Sequence, residues 1–354
     1  MVKRRKAGIK SALLLLAIFC FLFPGWMAAL DPSHRISQYG HSAWRIQDGY
    51  FAGQPWSITQ TTDGYLWVGT AAGALRFDGV QFVPWSSLAA EPLPSDDVRV
   101  VFGARDRSLW IGTMSGLVHW VNQRSIRYLN GEIINAVFQD EKGQIWVTGQ
   151  IPDGPARNPY PLCRIVDSDV HCFGKEEGVP LSTGDSLAED TSGDLWAGSD
   201  TALLRWRPGS SKVYRPAALR SNQGIQGVEA LAAAADGSVW VGIEVPGHEG
   251  GLQHLVAGVL RPFVIPKLNG ETLDVDDLLI DRQGNLWVGT ESQGVYRIHG
   301  TDVDHFGSAD GLSSDHVNRF FEDREGNLWV STAKGIDMFR DLRVISVSRR
   351  EGLT

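Results

Sequence analysis

A chain of 354 residues with 43% apolar and 21% charged side chains is too rich in core formers to be disordered, and too long for one ordinary core. It has 41 acidic against 33 basic residues, and without its basic leader the balance is 28 basic to 41 acidic, a formal charge of −13. A surface of that sign repels nucleic acid and anionic lipid, so neither is expected as a partner.

The leader comes first. "MVKRRKAGIK" is basic, "SALLLLAIFCFLF" is apolar and "PGWMAA" breaks the run, which is the order of a secretory signal sequence over residues 1–30. Cleavage after Ala29 would put Met27 where a small residue is preferred, so an uncleaved anchor is the alternative. Phe19, just before Cys20, is too large for lipoprotein processing. No later apolar run reaches the roughly 18 residues of a spanning helix. The remainder is expected in the periplasm, free or tethered to the membrane.

A tryptophan then recurs at Trp67, Trp110, Trp146, Trp196, Trp240, Trp287 and Trp329, with spacings of 43, 36, 50, 44, 47 and 42. Seven units of similar length mean a repeat architecture. Each unit reads as an apolar run, a turn, a run holding the Trp, a second turn and one or two further runs. Stretches such as "GIDMFR" and "GVYRIHG" alternate with period two, so the runs are strands. Four short strands per unit predict an all-β, seven-bladed β-propeller over residues 31–350. Both "RISQYGHSAWRI" and "LRVISVS" offer an outer strand for the last blade, and the sequence does not choose between them.

Within a unit, six of seven carry Gly three residues before the Trp, where a tight hairpin needs positive φ. Asp lies six residues before the Trp (Asp140, Asp190, Asp281, Asp323) or four before it (Asp63, Asp106, Asp236), placed to bond turn amides. No unit has the alternating carboxylates of a calcium loop, so these Asp are read as turn residues. The Trp is read as a wedge between blades. Gly69, Gly112, Gly198, Gly242 and Gly289, two residues after it, would let neighbouring blades approach closely.

Eleven residues before each Trp the repetition stops. The column reads Trp56, Arg99, Asn135, Asp185, Glu229, Asp276 and Asn318, while two residues later come Ile58, Val101, Val137, Leu187, Leu231, Leu278 and Phe320. This predicts a channel with a polar mouth above an apolar throat. Carboxylates, amides, an Arg and a Trp suit a polar, sugar-like small molecule, and the column's net charge of −2 disfavours a strong anion. Extra length in "GQIPDGPARNPYPLC" and "EVPGHEGG" falls on the same face. Cys163 and Cys172 flank a short hairpin and, with a two-residue turn at Asp167 and Ser168, would face each other within disulfide range. The nine histidines lack metal-ligand spacing, and no metal or cofactor is expected.

"DREGNLWVSTAKGIDMFRD", "DRQGNLWVGTESQGVYRI" and the opening "ALDPSHRISQYGHSAWRIQDGYFAGQPWSITQTTDGYLWVGTAAGALRFDGVQF" resemble the two-component regulator propeller repeat of exported bacterial sensor regions. The resemblance implies ligand binding outside the cytoplasmic membrane, often of a carbohydrate, with output through a membrane helix and a kinase. No second propeller, membrane helix or kinase motif follows residue 340, and "RREGLT" looks like the lead-in to a further repeat at 351–354. The output partner is therefore expected to be a membrane-bound kinase or the remainder of a larger sensor.

An enzyme is the competing expectation. Streptogramin lyases share the Gly-x-Leu-Trp turn but run on as Phe-Thr-Glu, and sialidases need three arginines where this column supplies only Arg99. There is no Gly-x-Ser-x-Gly elbow. Asp185, Glu229 and Asp276 leave a glycosidase-type carboxylate pair open. The leading expectation is a non-enzymatic sensor propeller, with a propeller lyase or glycosidase, or a protein-docking scaffold, as alternatives.

Overall fold

The computed structural model describes residues 29–150, 160–220 and 227–342. The leader up to residue 28, most of the loop after Gln150, all but the first residue of "LRVISVS" and the closing residues 351–354 lie outside the described residues.

Seven four-stranded antiparallel sheets follow one another along the chain. We number them blades 1 to 7. Their inner strands are Pro55–Gln60, Val98–Gly103, Ile133–Gln139, Ser186–Glu189, Val228–Ala233, Val275–Ile280 and Val317–Glu322. Each is followed by the Trp strand, from Leu66–Thr70 in blade 1 to Leu328–Thr332 in blade 7. A two-stranded hairpin, Val264–Ile265 with Leu268–Asn269, is inserted after blade 5.

The amino-terminal strand closes the ring. Gly40–Arg45 pairs antiparallel with Gly335–Arg340, from Gly40 opposite Arg340 to Arg45 opposite Gly335, as the outer strand of blade 7. Side chains explain the choice. Trp44 stacks on Trp329 with centroids 5.4 Å apart, and Leu30, Ile36 and Tyr39 join the core that holds Trp287, Phe306 and Phe339. Arg297 is buried in blade 6 and donates to the Tyr39 hydroxyl and the His34 carbonyl, besides pairing with Asp304 at 3.5 Å.

Every repeat Trp sits in a core shared by its own blade and the next. Trp146 packs with Leu195 and Leu204 of blade 4, Trp196 with Val228 and Val241 of blade 5, and Trp329 with Ile58 and Val68 of blade 1. The interblade distance is set by the glycine two residues on: a Cβ at Gly198 would lie 2.3 Å from the Val228 carbonyl oxygen. A blade of this kind is covered on both faces, which is why its Trp strand is buried along its length and the Trp is flanked by apolar residues.

The Asp column does two different jobs. At six residues before the Trp, one carboxylate oxygen accepts turn amides and the other accepts the indole N–H: Trp146 to Asp140 at 2.9 Å, Trp196 to Asp190 at 2.9 Å, Trp287 to Asp281 at 2.8 Å and Trp329 to Asp323 at 2.7 Å. The second half of this arrangement is not visible in the sequence. At four residues before the Trp the carboxylate cannot reach the ring. Asp106 and Asp236 instead hold Ser108 and Ser238, and a histidine lies flat on the indole, His119 on Trp110 at 4.1 Å and His254 on Trp240 at 3.8 Å. Blade 1 relays its indole through Thr61 to Asp63.

Blade 2 lacks the turn glycine, and Arg107 there adopts φ of 76°. A side chain in that region is strained, so Arg107→Gly is expected to stabilise the protein by about 0.5 kcal/mol once the added freedom of the unfolded chain is offset. Urea titration of both proteins reads this as a higher midpoint at unchanged slope.

Candidate functional site

The non-repeating column becomes a ring through a backbone irregularity. In six blades the pairing of inner and Trp strands skips one residue, and the skipped residues are Trp56, Arg99, Asn135, Glu229, Asp276 and Asn318. A bulge of this kind leaves its residue unpaired and re-aims the side chain. In blade 4 Asp185 lies just ahead of the strand, its amide bonded to the Gly198 carbonyl at 2.9 Å. All seven side chains line one cavity of about 390 Å³ at the mouth of the channel.

Gln150, Glu244 and Arg319 line it too, and sequence reasoning missed them. Gln150 and Glu244 both stand four residues after their Trp, at the roots of the two enlarged loops, so loop length was the available signal. Arg319 could not be found that way. It follows the bulged Asn318, in a position that strict alternation turns away from the channel.

The same bulge makes the throat only partly apolar. Val137, Leu187 and Leu231 line the chamber below the mouth, whereas Ile58, Val101, Leu278 and Phe320 pack into interblade cores. The narrower chamber under the mouth, about 170 Å³, is reached also by the residues one position earlier, among them Val100, Ala136, Ser186, Asp277 and Arg319. It therefore contains an ion pair, Arg319 to Asp277 at 3.0 Å, and Asp277 also accepts the Phe320 amide at 2.6 Å. Ser57 holds the Val101 amide in the equivalent way between blades 1 and 2, at 3.0 Å.

The mouth has two unlike sides. On blades 1 and 2 the indole N–H of Trp56 donates to Asp97 at 2.9 Å, Arg99 pairs with the same oxygen at 3.2 Å, and its guanidinium lies 4.7 Å from the Trp56 ring centroid. On blade 7, Asn318 accepts from Gln54 at 3.2 Å and donates to the Pro55 carbonyl at 2.7 Å. On blades 3 and 4, Asn135 donates to the Gly184 carbonyl at 3.0 Å and to Asp185 at 3.2 Å.

Blades 4 to 6 are acidic. Burial, reinforced by Glu229 and Asp200, holds the Asp185 carboxyl well above the usual carboxylate range. Burial also raises Glu229, against the opposing pull of Arg319 and the Gly227 amide. Asp276 is pushed up to about 9 by burial and by the neighbouring charges of Glu244 and Glu229, although His316 stands 3.4 Å from it. Asp277 is raised by burial despite Arg319, and Arg319, which burial alone would lower, is held above its usual value by Asp277 together with Glu229 and Asp276. Groups displaced this far are typical of sites that exchange protons or ligands.

Beside the long loop of blade 3, Cys163 and Cys172 form a disulfide with Cα atoms 4.0 Å apart. The hairpin turn between them has Asp167 and Ser168 at φ of 47° and 72°, a two-residue turn that sets the cysteines opposite each other.

The two-component regulator propeller family matches residues 270–292 and 311–334. No curated protein matches the chain. Among solved structures, it is similar to the extracellular domain of the hybrid two component system BT4673 from B. thetaiotaomicron, at 19% identity and a TM-score of 0.67, over 88% of this chain and 40% of that one. The extracellular domain of BT3049 from the same organism matches at 17% identity and a TM-score of 0.69, over 86% of this chain and 42% of that one. Virginiamycin B lyase from Staphylococcus aureus matches at 13% identity and a TM-score of 0.65, over 86% of this chain and the whole of the lyase. The chain thus spans less than half the length of the two sensor domains, and at these identities the likeness concerns the fold. Seven blades surround one channel, and two of them, blades 6 and 7, carry the two-component regulator propeller repeat.

Proposed function

We propose that this propeller is the exported ligand-recognition part of a two-component sensor and that it holds a carbohydrate-like small molecule in the channel mouth, without transforming it. The observation that carries the reading is the convergence of the seven non-repeating side chains on one cavity in a chain whose other columns repeat. Hydroxylated rings need paired donors and acceptors beside an aromatic face, and the mouth offers amides, carboxylates, guanidinium groups and Trp56. The signal would leave through a membrane-bound kinase or the rest of a larger sensor.

The test is a thermal-shift screen of the purified protein against oligosaccharides. A ligand at about 100 times its Kd adds about 2.7 kcal/mol and raises the melting temperature by several degrees. Trp56→Ala and Asp276→Ala are each expected to remove that shift while leaving the unliganded melt cooperative. A shift that survives both substitutions places the ligand elsewhere and overturns the reading. The fold shared with a lyase keeps an enzymatic reading in view, and product formed from a bound sugar would establish it.

A further inference from the structure

The acidic side of the mouth is built twice over by independent columns of the repeat. Eleven residues before the Trp, blades 4 to 6 carry Asp185, Glu229 and Asp276; four residues after it, the same blades carry Asp200, Glu244 and Glu291. Blades 1, 2 and 7 carry Ala71, Met114 and Ala333 in that second column. The two columns are adjacent in space: the Glu244 amide bonds the Gly227 carbonyl at 3.2 Å and the Glu291 amide bonds the Asp274 carbonyl at 2.9 Å, each just ahead of the mouth residue.

The cations already in the mouth are engaged elsewhere, Arg99 with Asp97 and Arg319 with Asp277. Among the described residues no Lys or Arg stands within ion-pair distance of Asp185, Glu229 or Asp276, and no three acidic or histidine groups are close enough together to hold a metal ion. From blade 7, His316 faces Asp276 at 3.4 Å and Arg319 acts on Asp276 and Glu229 from beyond ion-pair distance, while Glu229 and Glu244 of blade 5 and Asp274 and Glu291 of blade 6 add like charge around it. One guanidinium, Arg319, already paired with Asp277, cannot balance an arc of several desolvated carboxylates, so the remaining negative charge must be neutralised by protons or by the ligand.

Resting on the sensor reading above, we infer that the ligand of the mouth bears a cationic amine, an amino sugar and not a neutral one, with its ammonium against the Asp185, Glu229 and Asp276 side and its ring toward Trp56. An ammonium donates three hydrogen bonds and supplies the missing positive charge. Its arrival would release the protons that the raised carboxyls hold in the empty site. Binding needs the carboxylates ionised and the amine protonated together, so affinity for the amine passes through a maximum in pH, falling on the acid side as the carboxyls take up protons and on the alkaline side as the amine loses its own.

Isothermal titration of the full chain separates the possibilities with three probes on related backbones: a β-1,4 glucosamine tetramer, its N-acetylated counterpart and cellotetraose. The glucosamine tetramer is expected to bind at least about tenfold more tightly than either neutral probe, the scale of one charge-assisted contact. Repeating the titration in buffers of different ionisation enthalpy should show net proton release. Asp276→Asn, nearly isosteric, should erase the tenfold preference while its unliganded melting curve stays cooperative. Equal or tighter binding of a neutral probe that needs Trp56 overturns the amine and leaves the sugar-sensor reading standing. Binding of the amine unaffected by Asp276→Asn, or binding of none of the three probes, overturns the inference. The library screen above then decides whether the sensor reading falls with it.

Discussion

Deletion of the amino-terminal segment through Arg45 is expected to abolish cooperative folding, although every blade's inner strand and Trp strand would remain. The deletion removes the outer strand of blade 7, the stack of Trp44 on Trp329, and the Leu30, Ile36 and Tyr39 contribution to the core around Trp287. Burial of Trp44 and Tyr39 is worth about 2–3 kcal/mol each. Arg297, buried at 6% exposure, would lose its Tyr39 and His34 partners and keep Asp304, and each lost hydrogen bond from a charged group costs about 1.5–3 kcal/mol. Together these losses are comparable with the whole stability of a domain, about 5–15 kcal/mol. Calorimetry and near-ultraviolet circular dichroism of the truncated protein should show no sharp transition. A melt within a few degrees of the intact protein would show that the ring does not depend on this closure.

The second large effect belongs to the turn that the repeat preserves. Asp323 is 3% exposed and accepts from the Asn327 amide at 2.8 Å, the Asn327 side chain at 2.8 Å and the Trp329 indole at 2.7 Å. Asp323→Ala leaves a buried indole N–H and a turn amide without acceptors, at a cost of about 2–4 kcal/mol. A double-mutant cycle with Trp329→Phe should return a coupling energy of about 1–2 kcal/mol, because the two side chains share one hydrogen bond to a charged group. Blade 2 is the internal contrast. The Trp110 indole nitrogen has no hydrogen-bond acceptor among the described residues, so Trp110→Phe loses packing and ring stacking on His119 but no such bond. Additivity in the Asp323 cycle would show that the carboxylate acts on the turn alone.

These two predictions draw on different levels of legibility. The repeat Trp, the glycine before it and the Asp of the turn are spaced in the chain as they are in space, because a hairpin is local. Their period therefore predicted seven blades, and the structure has seven. The mouth column was also legible, since every inner strand meets its own Trp strand at a nearly constant offset. What that column does next was not. A bulge adds a residue without leaving a mark in composition, and it brought Arg319 and Asp277 into the channel where alternation placed an apolar throat.

Arg319 illustrates the limit. Its partner Asp277 belongs to a different blade, 42 residues earlier, and nothing in either local sequence announces the pairing. The choice between two candidate outer strands was hidden for the same reason, because it depends on which segment supplies partners to Arg297, Asp337 and Trp329 across the ring. His41 donates through Nε2 to the Asp337 carboxylate over 2.8 Å, a contact spanning 296 positions.

By itself the sequence determined the number of blades, the Trp wedges, the turn chemistry and the identity of the seven non-repeating residues, all of which follow from interactions within about one unit of chain. The tertiary structure alone decided how the ring closes, which side chains enter the channel below the mouth, and that the two acidic columns of blades 4 to 6 stand side by side. Those facts arise from contacts between blades, and their energies depend on burial and on neighbouring charge, quantities that exist only once the ring has formed.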